Sequence, residues 1–251
     1  MDTVFNGMYE DYNGHKLYRF PFEDTEAVIV VPKTPRADKA WIWKGFYFQA
    51  FPKFDFAMLD AGFYLAFVRS NTNFPVARTI EVRDKFYDFM TRTLDFPAKV
   101  ALFGLSRGAW FIYAWAVKNP EKVACIYADN PMCDFKSTYL GTGAGDGLPD
   151  KVPSLLEEFG YASVEEAAAA LSAGPVDEID PLAKAGVPII HVAATDDQIV
   201  PYEENTAVLA QRYRNMGGRI KVITHPGLHH PHGLENPTPV VEFIKACMDL
   251  R

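Results

Sequence analysis

The sequence predicts an α/β domain built on one mainly parallel sheet with helices on both faces. Three observations carry that prediction. Short apolar runs alternate with helical stretches along most of the chain, the pattern of strand–helix–strand units that stack parallel strands. The runs in the middle of the chain are almost continuously apolar, as strands buried on both faces must be. At 251 residues with 49% apolar and 23% charged content, the chain can bury one large core and is neither disordered nor fibrous.

The elements follow in order. Leu17 to Glu23 and Glu26 to Pro32 read as an opening hairpin turned at Asp24–Thr25, which supplies an antiparallel edge. Ala40 to Trp43 is a third strand. Phe54 to Ala61 is helical and stops at Gly62. Phe63 to Arg69, rich in β-forming residues, is the fourth strand. Glu81 to Leu94 has helical periodicity, with Val82, Phe86, Phe89 and Met90 on one side. Val100 to Gly104 is the fifth strand, and Arg107 to Lys118 is a helix closed by Asn119–Pro120. Strands six to eight are Val123 to Ala128, Val187 to Ala193 and Ile220 to Thr224; helices at Tyr202 to Met216 and Pro239 to Leu250 flank the last. The stretch 134–181 breaks the rhythm with GTGAGDG and then VEEAAAALSAG. It reads as a small cap, or a long surface excursion with one helix, within a single domain. No internal repeat or interdomain linker is visible.

Composition excludes several function classes. The net charge is −7 with no Lys/Arg stripe to offset it, which argues against a nucleic-acid partner. No apolar run approaches the roughly 18 residues of a membrane span. Three cysteines make no disulfide framework. The polar N-terminus has no signal-peptide core, so the chain as given reads as soluble: cytoplasmic, or periplasmic or secreted after removal of a signal. GTGAGDG fails the dinucleotide fingerprint in every register and follows no strand, and there is no Walker A sequence; no cofactor is expected.

The chemistry concentrates at three strand ends. Gly104-Leu105-Ser106-Arg107-Gly108 is G-x-S-x-G, with the strand KVALF running into it and a helix starting after it. That context is a nucleophile elbow, with Ser106 exposed on a strained turn and a helix N-terminus beside it to receive a developing oxyanion. A serine needs a base, and the base an orienting acid. Asp197, after strand seven, is the first choice for the acid; Asp134, after strand six, is the alternative, and Asp196 suits a helix cap. After strand eight, four of the six histidines fall between His225 and His232, and one of them is the expected base. Such a cluster also suits zinc, but no Cys or H-E-x-x-H pattern completes a closed site, so no metal is expected. His191 lies in an apolar strand and reads as a core histidine. The aromatics Trp41, Trp43, Phe46, Tyr47 and Phe48 read as core, with a stacking wall for a sugar as the alternative.

The order Ser106, Asp197, His after strands five, seven and eight resembles the α/β-hydrolase family over nearly the whole chain. The resemblance implies an eight-stranded, mostly parallel sheet with a small cap after strand six, and Ser–His–Asp hydrolysis through an acyl-enzyme. Counting from the P-G-x-G position of many such enzymes puts the base at His230; anchoring on H-H-P-H-G-L puts it at His229, the preferred reading. The amide of Arg107 would be one oxyanion donor, and the loop Lys44-Gly45-Phe46-Tyr47 would supply the second, from Gly45 or Phe46, although the usual H-G-G-G tetrad is absent. The stretches WIWKGFYF, KFYDFM, GLSRGAWFIYAWAVKNPEKVACIYADNPMCD and HHPHGLENPTPVVEFI look like a group of bacterial hydrolases often found beside carbohydrate-degrading enzymes. The Ser106–Arg107 step also resembles that of glucuronoyl esterases, in which the arginine helps to bind the oxyanion. The implied function is cleavage of a carboxylic ester, with a small molecule or an acyl- or methyl-esterified saccharide as substrate. The rivals are a serine peptidase of prolyl-oligopeptidase type and a non-catalytic binding protein on the same scaffold. Oligomeric state is not legible.

Overall fold

The computed structural model describes residues 5, 7–172 and 174–249. Nine strands form a single sheet: β1 (Glu10–Tyr12), β2 (His15–Phe22), β3 (Thr25–Val31), β4 (Trp41–Lys44), β5 (Tyr64–Val68), β6 (Val100–Leu105), β7 (Val123–Asp129), β8 (Ile189–Ala194) and β9 (Ile220–His225). Their spatial order is β1-β2-β3-β5-β4-β6-β7-β8-β9. The first three strands and the β3–β5 pair are antiparallel, and every pair from β5–β4 to β8–β9 is parallel. The chain has the α/β-hydrolase fold. The expected eight strands become nine because EDY, short and polar, pairs with β2 through Tyr12 and His15; nothing in its composition marks it as a strand.

Helices α1 (Lys53–Asp60) and α10 (Thr238–Asp249) cover one face of the sheet. Phe54 and Met58 of α1 and Val240 and Ile244 of α10 pack there against Ile42, Leu65, Phe103 and Ile190. On the other face, α2 (Ala77–Asp88), α3 (Arg107–Ala116) and α9 (Thr206–Asn215) bury Phe86, Ile112, Trp115 and Tyr213 against Trp41, Trp43, Ala66 and Ile126. The period-two alternation of β4 therefore sends both tryptophans into one core and Ile42 into the other. They are core residues with no access to a ligand.

Two helix starts differ from the sequence reading by more than one residue. α2 begins at Ala77, just after Pro75 and an extended Val76, and its last turn widens into a π-type turn over Phe89–Thr93. α9 begins at Thr206, after 202–205 have made turns. Leu250, the expected end of the last helix, lies outside the described residues. Between β7 and β8, the stretch contains α4 (Phe135–Leu140), α5 (Val152–Phe159), α6 (Val164–Ala170), α7 (Pro175–Glu178) and α8 (Asp180–Lys184). Phe135, Tyr139, Leu155 and Ala167 of this segment share a separate small core with Phe74, Trp110 and Val200. That core seats the segment over the C-terminal ends of the parallel strands, where the functional side chains gather.

Candidate active site

Ser106 joins β6 to α3 with φ 49° and ψ −123°, the left-handed region where a serine is strained by about 1–3 kcal/mol. The strain is held by backbone bonds: its N–H donates to Asp129 O at 2.9 Å, and its carbonyl accepts from Ala109 N at 3.0 Å and Met132 N at 3.1 Å. The flanking glycines are needed by close approach. A Cβ on Gly104 would lie 2.7 Å from the backbone of Ala109 and from Gly108 O. One on Gly108 would lie 3.1 Å from Phe46 Cβ.

Three elements converge on the serine. Ser106 Oγ is 2.9 Å from His229 Nε2, and His229 Nδ1 is 2.6 Å from Asp197 Oδ2. All three residues are buried. Asp197 follows β8, and its other oxygen, Oδ1, accepts the amides of Ile199 and Val200, both at 2.9 Å. The carboxylate is thus fixed in orientation before it meets the imidazole. Bonding to Asp197 keeps the proton of a neutral His229 on Nδ1 and leaves the Nε2 lone pair facing Ser106, the arrangement that lets a histidine take the proton of a hydroxyl.

Two residues that sequence reasoning missed hold the histidine loop in place. Asn130 donates from Nδ2 to His229 O at 3.0 Å and accepts from Ala194 N at 2.7 Å. Asp129 accepts His232 Nδ1 at 2.8 Å and Gly233 N at 3.0 Å on Oδ1, and the Tyr127 hydroxyl at 2.8 Å on Oδ2. The signal was available: a polar Asp-Asn pair closing an almost wholly apolar strand, on the rim that also carries Ser106 and Asp197.

The remaining candidates fall elsewhere. His230 makes no bond to Ser106; it is exposed, and its ring stacks on Phe51 with centroids 5.4 Å apart. Partial desolvation, then the neighbouring His229 and His232, lower its pKa. Asp134 caps α4 through the amides of Lys136 and Ser137. Asp196 caps no helix but accepts Gly227 N at 2.8 Å, tying the β8 and β9 loops together. His191 bonds the Tyr113 hydroxyl at 2.6 Å and lies 3.1 Å from Thr206 Oγ1, and burial pushes its pKa down to about 3.

Gly45 is corrected as an oxyanion donor. Its N–H is spent on Phe103 O at 2.7 Å, extending the β4–β6 ladder by one residue, and its carbonyl accepts from the buried Arg83 guanidinium. The glycine is needed for another reason: a Cβ there would lie 2.5 Å from Ile112 and 2.6 Å from Gly108 O. Among the described residues the amides of Phe46 and Arg107 donate to no protein acceptor. Both border the elbow, and both are free for an oxyanion.

A cavity of about 460 Å³ opens over Ser106. Its walls include Phe51 and Tyr47 from the loop after β4, Tyr139, Leu148 and Lys151 from the 134–181 segment, and Ile199. The Arg107 side chain also lines it, half-buried, with its guanidinium carbon 5.2 Å from the Phe46 ring centre, 5.8 Å from Tyr47 and 5.7 Å from Phe74. Its Nε is buried with no hydrogen-bond partner. Among the described residues no carboxylate lines this cavity, although the chain carries a net charge of −7. Among the described residues, His229, His230 and His232 lie close enough together to hold a metal ion.

Neither a family profile nor a curated protein sequence matches the chain. Solved structures do resemble it. The uncomplexed acylaminoacyl peptidase of Pyrococcus horikoshii superposes with a TM-score of 0.65 at 12% identity, covering 99% of this chain and 43% of that one. A puromycin hydrolase gives 0.63 at 16% identity, covering 92% and 38%. A structure from a study of two prolyl endopeptidases gives 0.66 at 14% identity, covering 94% and 39%. The chain thus spans about two fifths of the length of each. At these identities the likeness establishes the shared fold. None of these three names is that of a carbohydrate esterase.

Proposed function

We propose that this chain is a serine hydrolase working by acyl transfer, with Ser106 as nucleophile, His229 as base and Asp197 as orienting acid. The observation that carries the reading is the continuous line of hydrogen bonds from Ser106 Oγ through His229 to Asp197, at 2.9 and 2.6 Å, at the floor of a cavity. Ser106 Oγ attacks the substrate carbonyl carbon while its proton moves to His229 Nε2. Asp197 stabilises the resulting imidazolium without itself taking the proton. The oxyanion receives the amides of Arg107 and Phe46. His229 then gives its proton to the departing nitrogen or oxygen as the carbonyl–leaving-group bond breaks. It next takes a proton from the water that attacks the acyl-enzyme, and returns it to Ser106 Oγ.

For the leaving group, the amide reading has the better support, because the structural neighbours bear the names of peptidases. Ester cleavage is the second reading, favoured by the resemblance of the Ser106–Arg107 step to glucuronoyl esterases. Both fit a substrate that carries a carboxylate, since Arg107 and Lys151 give the cavity two cations with no lining acid to neutralise them. The test begins with a fluorophosphonate probe on the wild type and on Ser106→Ala. Side-by-side turnover of an acyl-peptide anilide, p-nitrophenyl acetate and a methyl uronate then separates the readings. The wild type should label and Ser106→Ala should not, with turnover reduced by several powers of ten. A folded Ser106→Ala protein with wild-type turnover, or a wild type that never labels, overturns the assignment.

A further inference from the structure

Three histidine rings meet edge to face at the cavity wall. The ring centres of His229 and His230 are 4.7 Å apart, and His232 lies 4.9 Å from each, with interplanar angles of 65°, 79° and 80°. One nitrogen from each ring lies within 4.8 Å of the other two. Hydrolysis as derived above requires only one of these rings.

The feature that separates this group from a chance cluster is what stands behind it. His229 Nδ1 bonds Asp197 and His232 Nδ1 bonds Asp129, at 2.6 and 2.8 Å, and both carboxylates are buried. A carboxylate on the far nitrogen is the support that metal-ligating histidines almost always have. It fixes the tautomer, aims the ring, and raises the basicity of the nitrogen that faces the metal. Here it leaves the Nε2 lone pairs of both rings available. Among the described residues, His232 Nε2 has no hydrogen-bond partner, and that of His229 has only Ser106 Oγ. Among the described residues the His230 ring has no hydrogen-bond partner; it stacks on Phe51 and sits at the exposed rim.

We propose that His229, His230 and His232 form a three-histidine site for a borderline-soft divalent cation such as zinc, and that filling it silences the serine. Three neutral imidazoles suit Zn²⁺, Cu²⁺ or Ni²⁺, and offer no oxygen to Mg²⁺ or Ca²⁺. Tetrahedral zinc, with bonds of about 2.0–2.1 Å, holds its ligand nitrogens roughly 3.4 Å apart. The nitrogens must therefore draw closer, and His230, exposed and held by stacking on Phe51 rather than by a hydrogen bond, is the least anchored of the three rings. The fourth position faces the cavity and takes water or Ser106 Oγ. Metal and hydroxyl proton compete for one lone pair, His229 Nε2, so the metal-bound protein has no base for Ser106. Unlike a catalytic zinc, this ion would be a reversible off-switch. The inhibitory half rests on the triad reading; the binding half does not.

The experiment separates the two. Zinc chloride is titrated by calorimetry into Ser106→Ala, in a buffer that does not chelate, while p-nitrophenyl acetate turnover by the wild type is followed over the same zinc range. Expected are one zinc per chain, inhibition with the same midpoint, recovery on adding EDTA, and no effect of magnesium chloride. His230→Ala and, separately, His232→Gln should weaken zinc binding by about tenfold or more, each judged against its own metal-free turnover. His230, being exposed, keeps the test open should His232→Gln fail to fold. Absence of binding heat at millimolar zinc, or binding left undiminished by His230→Ala, overturns the site. Stoichiometric binding with unimpaired turnover overturns the switch, and a wild type inactive without metal would instead refute the triad.

Discussion

Replacing Asp197 by asparagine probes the site because the surrounding amides dictate how the new side chain must sit. Asp197 Oδ1 accepts two backbone N–H groups, from Ile199 and Val200, at 2.9 Å each. In D197N only the amide oxygen can occupy that position, since the NH₂ group would face two donors. The NH₂ is then forced to the place of Oδ2, 2.6 Å from His229 Nδ1. There it can only donate, so His229 must offer a lone pair at Nδ1 and carry its proton on Nε2. That proton points at Ser106 Oγ, and the base is lost while every heavy atom stays in place. The same inversion elsewhere costs about 10⁴ in kcat, or roughly 5 kcal/mol at about 1.4 kcal/mol per factor of ten. The stability cost is smaller, about 1–2 kcal/mol, from one weakened hydrogen bond to a charged group. The assay is kcat on p-nitrophenyl acetate together with urea unfolding. A folded D197N protein with kcat within about tenfold of wild type would refute the tautomer argument.

Further outcomes follow from the same geometry. His229→Ala should fall to the level of Ser106→Ala in p-nitrophenyl acetate turnover, whereas His230→Ala should retain much more; equal losses would move the base away from His229. Arg107→Gln should raise KM for a substrate bearing a carboxylate far more than for an acetate ester, and an equal effect on both would remove its role in recognition. Lys44 and Asp55 form a buried ion pair at 2.6 Å, with Lys44 also donating to Ala50 O. Asp55→Ala should therefore cost about 3–5 kcal/mol in urea unfolding, more than a Lys44→Met/Asp55→Leu double variant; a loss below about 1 kcal/mol would show that the pair is not desolvated as described. His191 has a pKa lowered by burial to about 3, so between that value and the unfolded value of about 6.5 the unfolded chain holds one more proton than the folded one. Its contribution is intact above that window and is lost as pH falls through it, at about 1.4 kcal/mol per pH unit. Stability measured from pH 6 to pH 4 should have a slope about one proton smaller in His191→Gln, and an unchanged slope would contradict the neutral buried imidazole.

What could be read from the sequence was whatever local crowding or a single strand end imposes. Gly104 stands out because a Cβ there would collide with backbone, and Gly108 because one would crowd Phe46; that demand is written as G-x-S-x-G. Asp197 was the first choice because it follows an apolar strand on the rim that carries the elbow, and of the acids on that rim it is the one that bonds His229. For the choice between His229 and His230, which sit in one loop, the local patterns pulled apart: the P-G-x-G count pointed to His230, and H-H-P-H-G-L to His229, the preferred reading. The choice is made by Asn130, which bonds the His229 carbonyl, and by Asp129, which bonds His232 and Gly233. Those bonds span about a hundred residues of sequence and leave no periodicity to detect. Of the two residues expected to offer the second oxyanion donor, only Gly45 drops out, by a one-residue boundary error: β4 runs on to Lys44, the next amide closes the ladder on Phe103, and the free amide is that of Phe46. Lys44 and Arg83 were illegible for a different reason. Residue type places a lysine and an arginine outside, and only the Asp55 carboxylate, the Ala50 and Gly45 carbonyls and the faces of Trp43 and Phe111 make the interior tolerable for them.

Asp129 shows why these omissions matter for the site as a whole. Its carbonyl holds the amide of Ser106, and its carboxylate holds the loop that carries His229. One residue at the end of β7 therefore sets the strained serine and the histidine it faces relative to each other. The 2.9 Å gap between Ser106 Oγ and His229 Nε2 is consequently a property of three strand ends braced together. Elbow, acid and histidine can each be recognised singly, but their registration depends on a residue that takes no part in the proton transfer.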